Sequence, residues 1–305
     1  MQLIAEQLLN GLQFGLMLFL LAAGLTLVFG IMDLMNLAHG SLYMIGAYLM
    51  ATIAAASGSF WIALPLAIVL TAAVGLALER LLIRHLYHRD HLAQVLATFA
   101  LILIANDLVK LIWGSAPLML NAPASLSGPV ELVPGFYYPA YRLLIIGVGL
   151  ASALLLYILV AHTKTGMLLR AGAVEPRDGR RRWASTSAAC SPRCLRSALH
   201  FAQWLARCSG QCWPSQVGMG ESILILAFVV IVIGGIGSMR GALVGALLVG
   251  LVDTAGRAFL PSLLNAVMPL NLAANLGPAL AAIAIYLLMA AVLFLKPSGL
   301  FPARG

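Results

Sequence analysis

Long uncharged runs separated by short charged clusters dominate the chain. The runs cover residues 14–32, 40–78, 143–161, 222–239 and 272–295, and they are apolar on every side, without the alternation of a lipid-exposed barrel. A helix crosses a bilayer with about 20 apolar residues, so most runs can span once. The run 40–78 can span twice, around a turn at Ser57-Gly58-Ser59. Counted forward, the pattern predicts spans near 8–31, 41–57, 61–79, 93–113, 141–161, 222–238, 241–260 and 272–295. The expected fold is all-α and polytopic, a single transmembrane domain over 1–303 with about eight transmembrane helices.

Two segments break this pattern with polar or glycine-rich residues. They are "FGIMDLMNLAHGSLYMIGAYL" (29–49) and "VIGGIGSMRGALVGALLVGLVDT" (232–254), each with a basic residue or histidine before a glycine: His39-Gly40 and Arg240-Gly241. Paired interruptions in two halves of a chain are the mark of an internally repeated transporter, here an inverted repeat, and the unwound backbone faces the substrate path. On that reading Asp33, Asn36, His39, Ser41, Gly234, Gly235 and Gly237 are candidate translocation-path residues. The plainer reading of the first cluster is a cytoplasmic turn in which Asp33 and Asn36 cap the next helix. Asn106 and Asp107, ahead of Lys110 and Trp113, read as the interfacial end of a span. Asp253 and Arg257 share a helix face and read as an ion pair at a span end. Gly241, Gly245, Ala246 and Gly250 read as a close-packing face.

Composition agrees with the pattern and excludes several functions. The mean hydropathy of +1.00 removes the chain from the soluble class. A net charge of +8 would suggest nucleic acid in a soluble protein, but here the basic residues occupy short loops between spans. Arg80, Arg84 and Arg89 lie in one loop, Lys164 and Arg170 in a second, and Lys296 and Arg304 near the end. Placing all of them in the cytoplasm puts the N-terminus outside and the C-terminus inside, with 114–139 as an external loop whose only charge is Glu131. The first run is expected to be retained, because no basic stretch precedes Phe14 and Glu6 is acidic. Eight spans are then one crossing short, and the missing crossing is expected around 185–215. The chain has no G-x-x-x-x-G-K-[ST], H-E-x-x-H or G-x-S-x-G, so no ATPase or hydrolase site of its own is expected.

Several stretches carry a resemblance to a known family. "NGLQFGLMLFLLAAGLTLVFGIMDLMNLAHGSLYMIGAY" (10–48), "KTGMLLRAGA" (164–173), "GMGESILILAFVVIVIGGIGSMRGALVGALLVGLVDT" (218–254) and "LKPSGLF" (295–301) resemble the LivH-type permeases of branched-chain amino-acid ABC transporters. The resemblance implies a multi-pass subunit of the bacterial inner membrane that pairs with a second, related permease. It implies two cytoplasmic ATPases holding ATP and Mg, a periplasmic substrate-binding protein, and no cofactor in this chain. By the same resemblance, Arg170, Ala171 and Gly172 begin the element that couples to the ATPase.

Residues 174–215 depart from the family. All four cysteines (Cys190, Cys194, Cys208, Cys212), Trp183, Trp204, Trp213 and seven arginines fall there, and no uncharged run within it exceeds ten residues, too short to cross a bilayer. Three readings compete: a four-cysteine zinc site, a basic helix on anionic lipid, and an out-of-frame stretch of coding sequence. Trp183-Ala184-Ser185-Thr186-Ser187 can be encoded TGG-GCN-TCN-ACN-TCN, and starting two bases later gives codons compatible with Gly-Val-Asp-Ile, which suits the family's loop. The codons favour the third reading, so no metal is expected on the cysteines, and the stretch replaces the coupling helix and one span. Beyond branched-chain amino-acid import, the sequence leaves open a permease for urea or short amides, an inactive frameshifted product, a stand-alone secondary carrier and a membrane-embedded enzyme.

Overall fold

The computed structural model describes residues 2–32, 36–87, 89–119, 123, 126, 128–162, 215–266 and 268–301. Its helices are α1 (Gln2–Met32), α2 (His39–Ser57), α3 (Phe60–Leu78), α4 (His91–Trp113), α5 (Ala140–His162), α6 (Met219–Gly234), α7 (Met239–Leu264) and α8 (Leu270–Leu295). Among the described residues, seven helices are long and apolar enough to cross a membrane, and α6 is a shorter apolar helix. At 16 residues α6 is about 24 Å long, less than the roughly 30 Å hydrocarbon core. The chain is thus an all-α polytopic membrane protein. The turn at 57–59 forms as expected: Gly58 takes φ 62° and its N–H bonds to Ala54 O, closing α2 before α3 begins.

Helix ends differ from the hydropathy pattern for local reasons. The span expected to run to 238 stops at Gly234, because Gly235 has φ 102° and leaves the helical region. After α3 the chain passes through a π turn, Glu79–Ile83, and one further helical turn, Arg84–Leu86. The 114–139 loop also holds a small antiparallel hairpin, β1 (Pro129–Val133) with β2 (Phe136–Pro139). Pro134-Gly135 makes its turn, with Gly135 at φ 84° and its N–H donating to Glu131 Oε1 at 2.8 Å.

Glycine contacts fix the helix directions. Gly11 lies beside Leu251 and Gly15 beside Ala246 and Leu247, so α1 and α7 are antiparallel. A Cβ on Gly250 would sit 2.5 Å from the Gly15 nitrogen, which shows how closely the two backbones approach. Gly234 meets Gly241 and Gly245 meets Val230, so α6 and α7 are antiparallel as well. Beside α1, Asn10 bonds Arg142 and Leu16 packs on Gly149, so α5 runs parallel to α1. Hence α1, α5 and α6 point one way and α7 the other. It follows that α5 ends at the opposite end of the bundle from where α6 starts. The crossing expected around 185–215 lies, but for Ser215, outside the described residues.

The start of α6 is tied to the 114–139 loop by a backbone pair, Leu118 N to Ser215 O and Ser215 N to Leu118 O, each 3.0 Å. Its first turn also meets the first turn of α2, where the Gly40 and Gly220 backbones touch. The first helix of each interrupted segment therefore packs on the second helix of the other: α1 on α7, and α6 on α2.

Candidate functional site

The first interrupted segment is buried, not a solvated turn. Asn36 and His39 are each 1% exposed and Ser41 4%. Asn36 Oδ1 accepts from the Ala38 N–H at 3.1 Å, a local bond that shapes the chain entering α2. His39 Nε2 and Ser41 Oγ have no hydrogen-bond partner among the described residues. These two side chains do not converge. They are two residues apart on one helix, about 200° around its axis, and leave opposite faces. Asp33 lies outside the described residues.

The second interruption lies elsewhere. Gly234 and Gly235 end α6 about 22 Å along the axis from its first turn, where Gly220 touches Gly40. Leu300 N donates to Ile233 O at 2.9 Å and Phe301 N to Gly234 O at 3.0 Å, so the C-terminal segment covers this turn. Gly237 takes φ 83° within it. The structure therefore places Gly234, Gly235 and Gly237 together, and Asn36, His39 and Ser41 together, but at opposite ends of α6. Arg170, Ala171, Gly172 and the cysteines Cys190, Cys194, Cys208 and Cys212 lie outside the described residues.

An open cleft of about 400 Å³, with polar and apolar walls, lies between α1, α5 and α7. Asn10 and Gln13 reach it from α1, Arg142 from α5, and Asp253 and Arg257 from α7. Asp253, 4% exposed, accepts from Arg257 Nε at 2.8 Å through Oδ1, so the expected ion pair forms, but it lines a cavity. Asn10 Oδ1 accepts from Arg142 Nη1 at 2.5 Å and from the Tyr138 hydroxyl at 2.8 Å, joining α1 to the hairpin and α5. Arg142 also lies 6.0 Å from the centre of the Tyr141 ring. Two guanidinium groups against one carboxylate leave the cavity with one excess positive charge. Phe14, Met17 and Ala258 add an apolar wall.

Sequence reasoning missed Asn10, Gln13 and Arg142. The signals were there: Gln7, Asn10 and Gln13 repeat every three residues inside an apolar helix, and Arg142 is a basic residue at the loop end opposite the basic loops. The polar residues of α4 take three separate partners. Asp107 pairs with Lys110 at 3.3 Å on an exposed face, Asn106 donates to Glu221, and Trp113 Nε1 donates to Thr52 Oγ1 at 2.6 Å.

A bundle of apolar helices with small-residue crossings and a polar, charged cavity is the architecture of a membrane permease. The family described as "Branched-chain amino acid transport system / permease component" matches residues 7–177 and 205–294, and the chain belongs to it. Among its relatives, the high-affinity branched-chain amino acid transport system permease protein LivH of Escherichia coli K12 is 27% identical over 273 residues, 84% of this chain and 86% of that protein. The high-affinity permease protein BraD of Pseudomonas aeruginosa is 27% identical over 264 residues, 82% of this chain and 85% of that protein. No solved structure matches.

Proposed function

We propose that the chain is a permease subunit of an ABC importer for branched-chain amino acids in the bacterial inner membrane. The observation that carries this reading is the family match on both sides of the 178–204 gap, together with apolar helices that line an open cleft holding charged side chains. ATP and Mg are bound by two cytoplasmic ATPase subunits, a second related permease completes the pore, and a periplasmic binding protein delivers the substrate. The basic loops lie in the cytoplasm, so the end carrying the 114–139 loop, the hairpin and the start of α1 faces the periplasm. Leucine uptake into vesicles holding the chain, its partner subunits and ATP tests this; uptake that persists without the ATPases contradicts it.

A second reading concerns residues 174–215. The family match stops at 177 and resumes at 205, which supports an out-of-frame stretch between bundles that are in frame. A chain translated with that stretch lacks the coupling helix beyond Arg170, Ala171 and Gly172, and does not transport until the family frame is restored. An independent read of the locus that confirms the present frame, together with ATP-dependent uptake by this chain, overturns the second reading.

A further inference from the structure

The cavity between α1, α5 and α7 holds chemistry that close packing of the bundle does not need. Asp253 sits inside an apolar helix, where a carboxylate is costly unless paired or directed to a polar space. It accepts from Arg257 Nε through Oδ1 alone of its two oxygens. Arg257 uses only Nε in that bond, and its side chain is 44% exposed, so its terminal nitrogens remain available. Arg142 is held at the same cavity by Asn10. A bound anion alone would need only the two guanidinium groups. A bound cation would not need them.

We propose that this cavity is a subsite for the zwitterionic head of a free aliphatic amino acid, on the import reading given above. The ammonium lies on Asp253 and the carboxylate on Arg257 and Arg142. An α-amino acid carries both charges on one carbon, so it requires an anion and a cation side by side, which the 2.8 Å Asp253–Arg257 pair supplies. The head group sets its dipole antiparallel to that pair, and the side chain rests against Phe14, Met17 and Ala258. A volume of about 400 Å³ falls within the roughly 300–1,000 Å³ of small-molecule sites. The permease then reads the charged head and apolar tail of its cargo itself, and is more than a passive channel behind a selective binding protein.

The test is equilibrium binding of labelled leucine to the purified full chain in lipid nanodiscs. The competitors are 4-methylpentanoate, which lacks the ammonium, and 3-methylbutylamine, which lacks the carboxylate. Leucine should bind about ten-fold or more tightly than either, since each analogue leaves one charge of the Asp253–Arg257 pair unanswered. In Asp253→Asn, which keeps the size of the side chain, leucine should weaken by about ten-fold or more and fall level with 4-methylpentanoate. Equal binding of leucine and 4-methylpentanoate by the unaltered chain, an unchanged preference in Asp253→Asn, or no binding at all would overturn the proposal. Uptake by the complex with residues 174–215 restored is scored separately. Uptake without this binding removes the subsite alone; binding without uptake removes the import reading.

Discussion

The cavity between α1, α5 and α7 and the buried turn ahead of α2 are the two polar regions of this bundle, and they are built differently. Three helices deliver side chains to the cavity, and these meet across it: Asp253 in an ion pair with Arg257, and Arg142 in a hydrogen bond to Asn10. In the turn, Asn36 is taken up by the Ala38 N–H and does not cap α2, while His39 and Ser41 leave opposite faces of one helix. Burial is thus not a guide to binding. Convergence from separate elements is, and a turn can be buried because two helix ends must meet there.

Variants in the two regions should differ accordingly. The largest effect belongs to the crossing of α2 and α6. Gly40→Val puts a branched side chain where the Gly220 backbone already touches, and with no flexible neighbour to yield it should cost about 3 kcal/mol or more. Loss of the monodisperse protein in detergent is the expected result; a normal melting curve would break the account of that crossing. Next comes Asp253→Ala. It strands Arg257, which is partly exposed, so the stability cost should be only about 1–2 kcal/mol while leucine binding falls by about ten-fold or more. Asn36→Ala removes one buried bond to Ala38 N and should cost about 1–2 kcal/mol by thermal unfolding, with leucine binding unchanged. The smallest effect is that of Asp107→Asn, on an exposed i,i+3 pair, at about 0.5 kcal/mol or less.

The span pattern was legible in the sequence because a bilayer imposes length and apolarity on each helix separately. Seven long helices and α6 fall where the eight spans were expected, and the turn at Gly58 was marked by its small residues. The hairpin was not, since Pro, Gly and Ser around it read as loop, and the pairing of Val130 with Tyr138 depends on contacts across the turn. The cavity was half legible. Asp253 and Arg257 are neighbours on one helix and declare their pairing through i,i+4 spacing. Arg142 and Asn10 are 132 positions apart, and only the parallel packing of α1 and α5 brings them together. The two glycine-rich interruptions look alike along the chain, yet α6 holds them at its two ends, a separation set by helix length that motif similarity does not encode.

The comparison of the two polar regions reduces to one measurement: labelled-leucine binding to the full chain in nanodiscs, carried in parallel for Asp253→Asn and Ser41→Ala. Loss of binding by about ten-fold or more in Asp253→Asn, with Ser41→Ala indistinguishable from the unaltered chain, is the predicted result. Binding that survives in Asp253→Asn and fails in Ser41→Ala would place the substrate at the turn ahead of α2 and contradict the account.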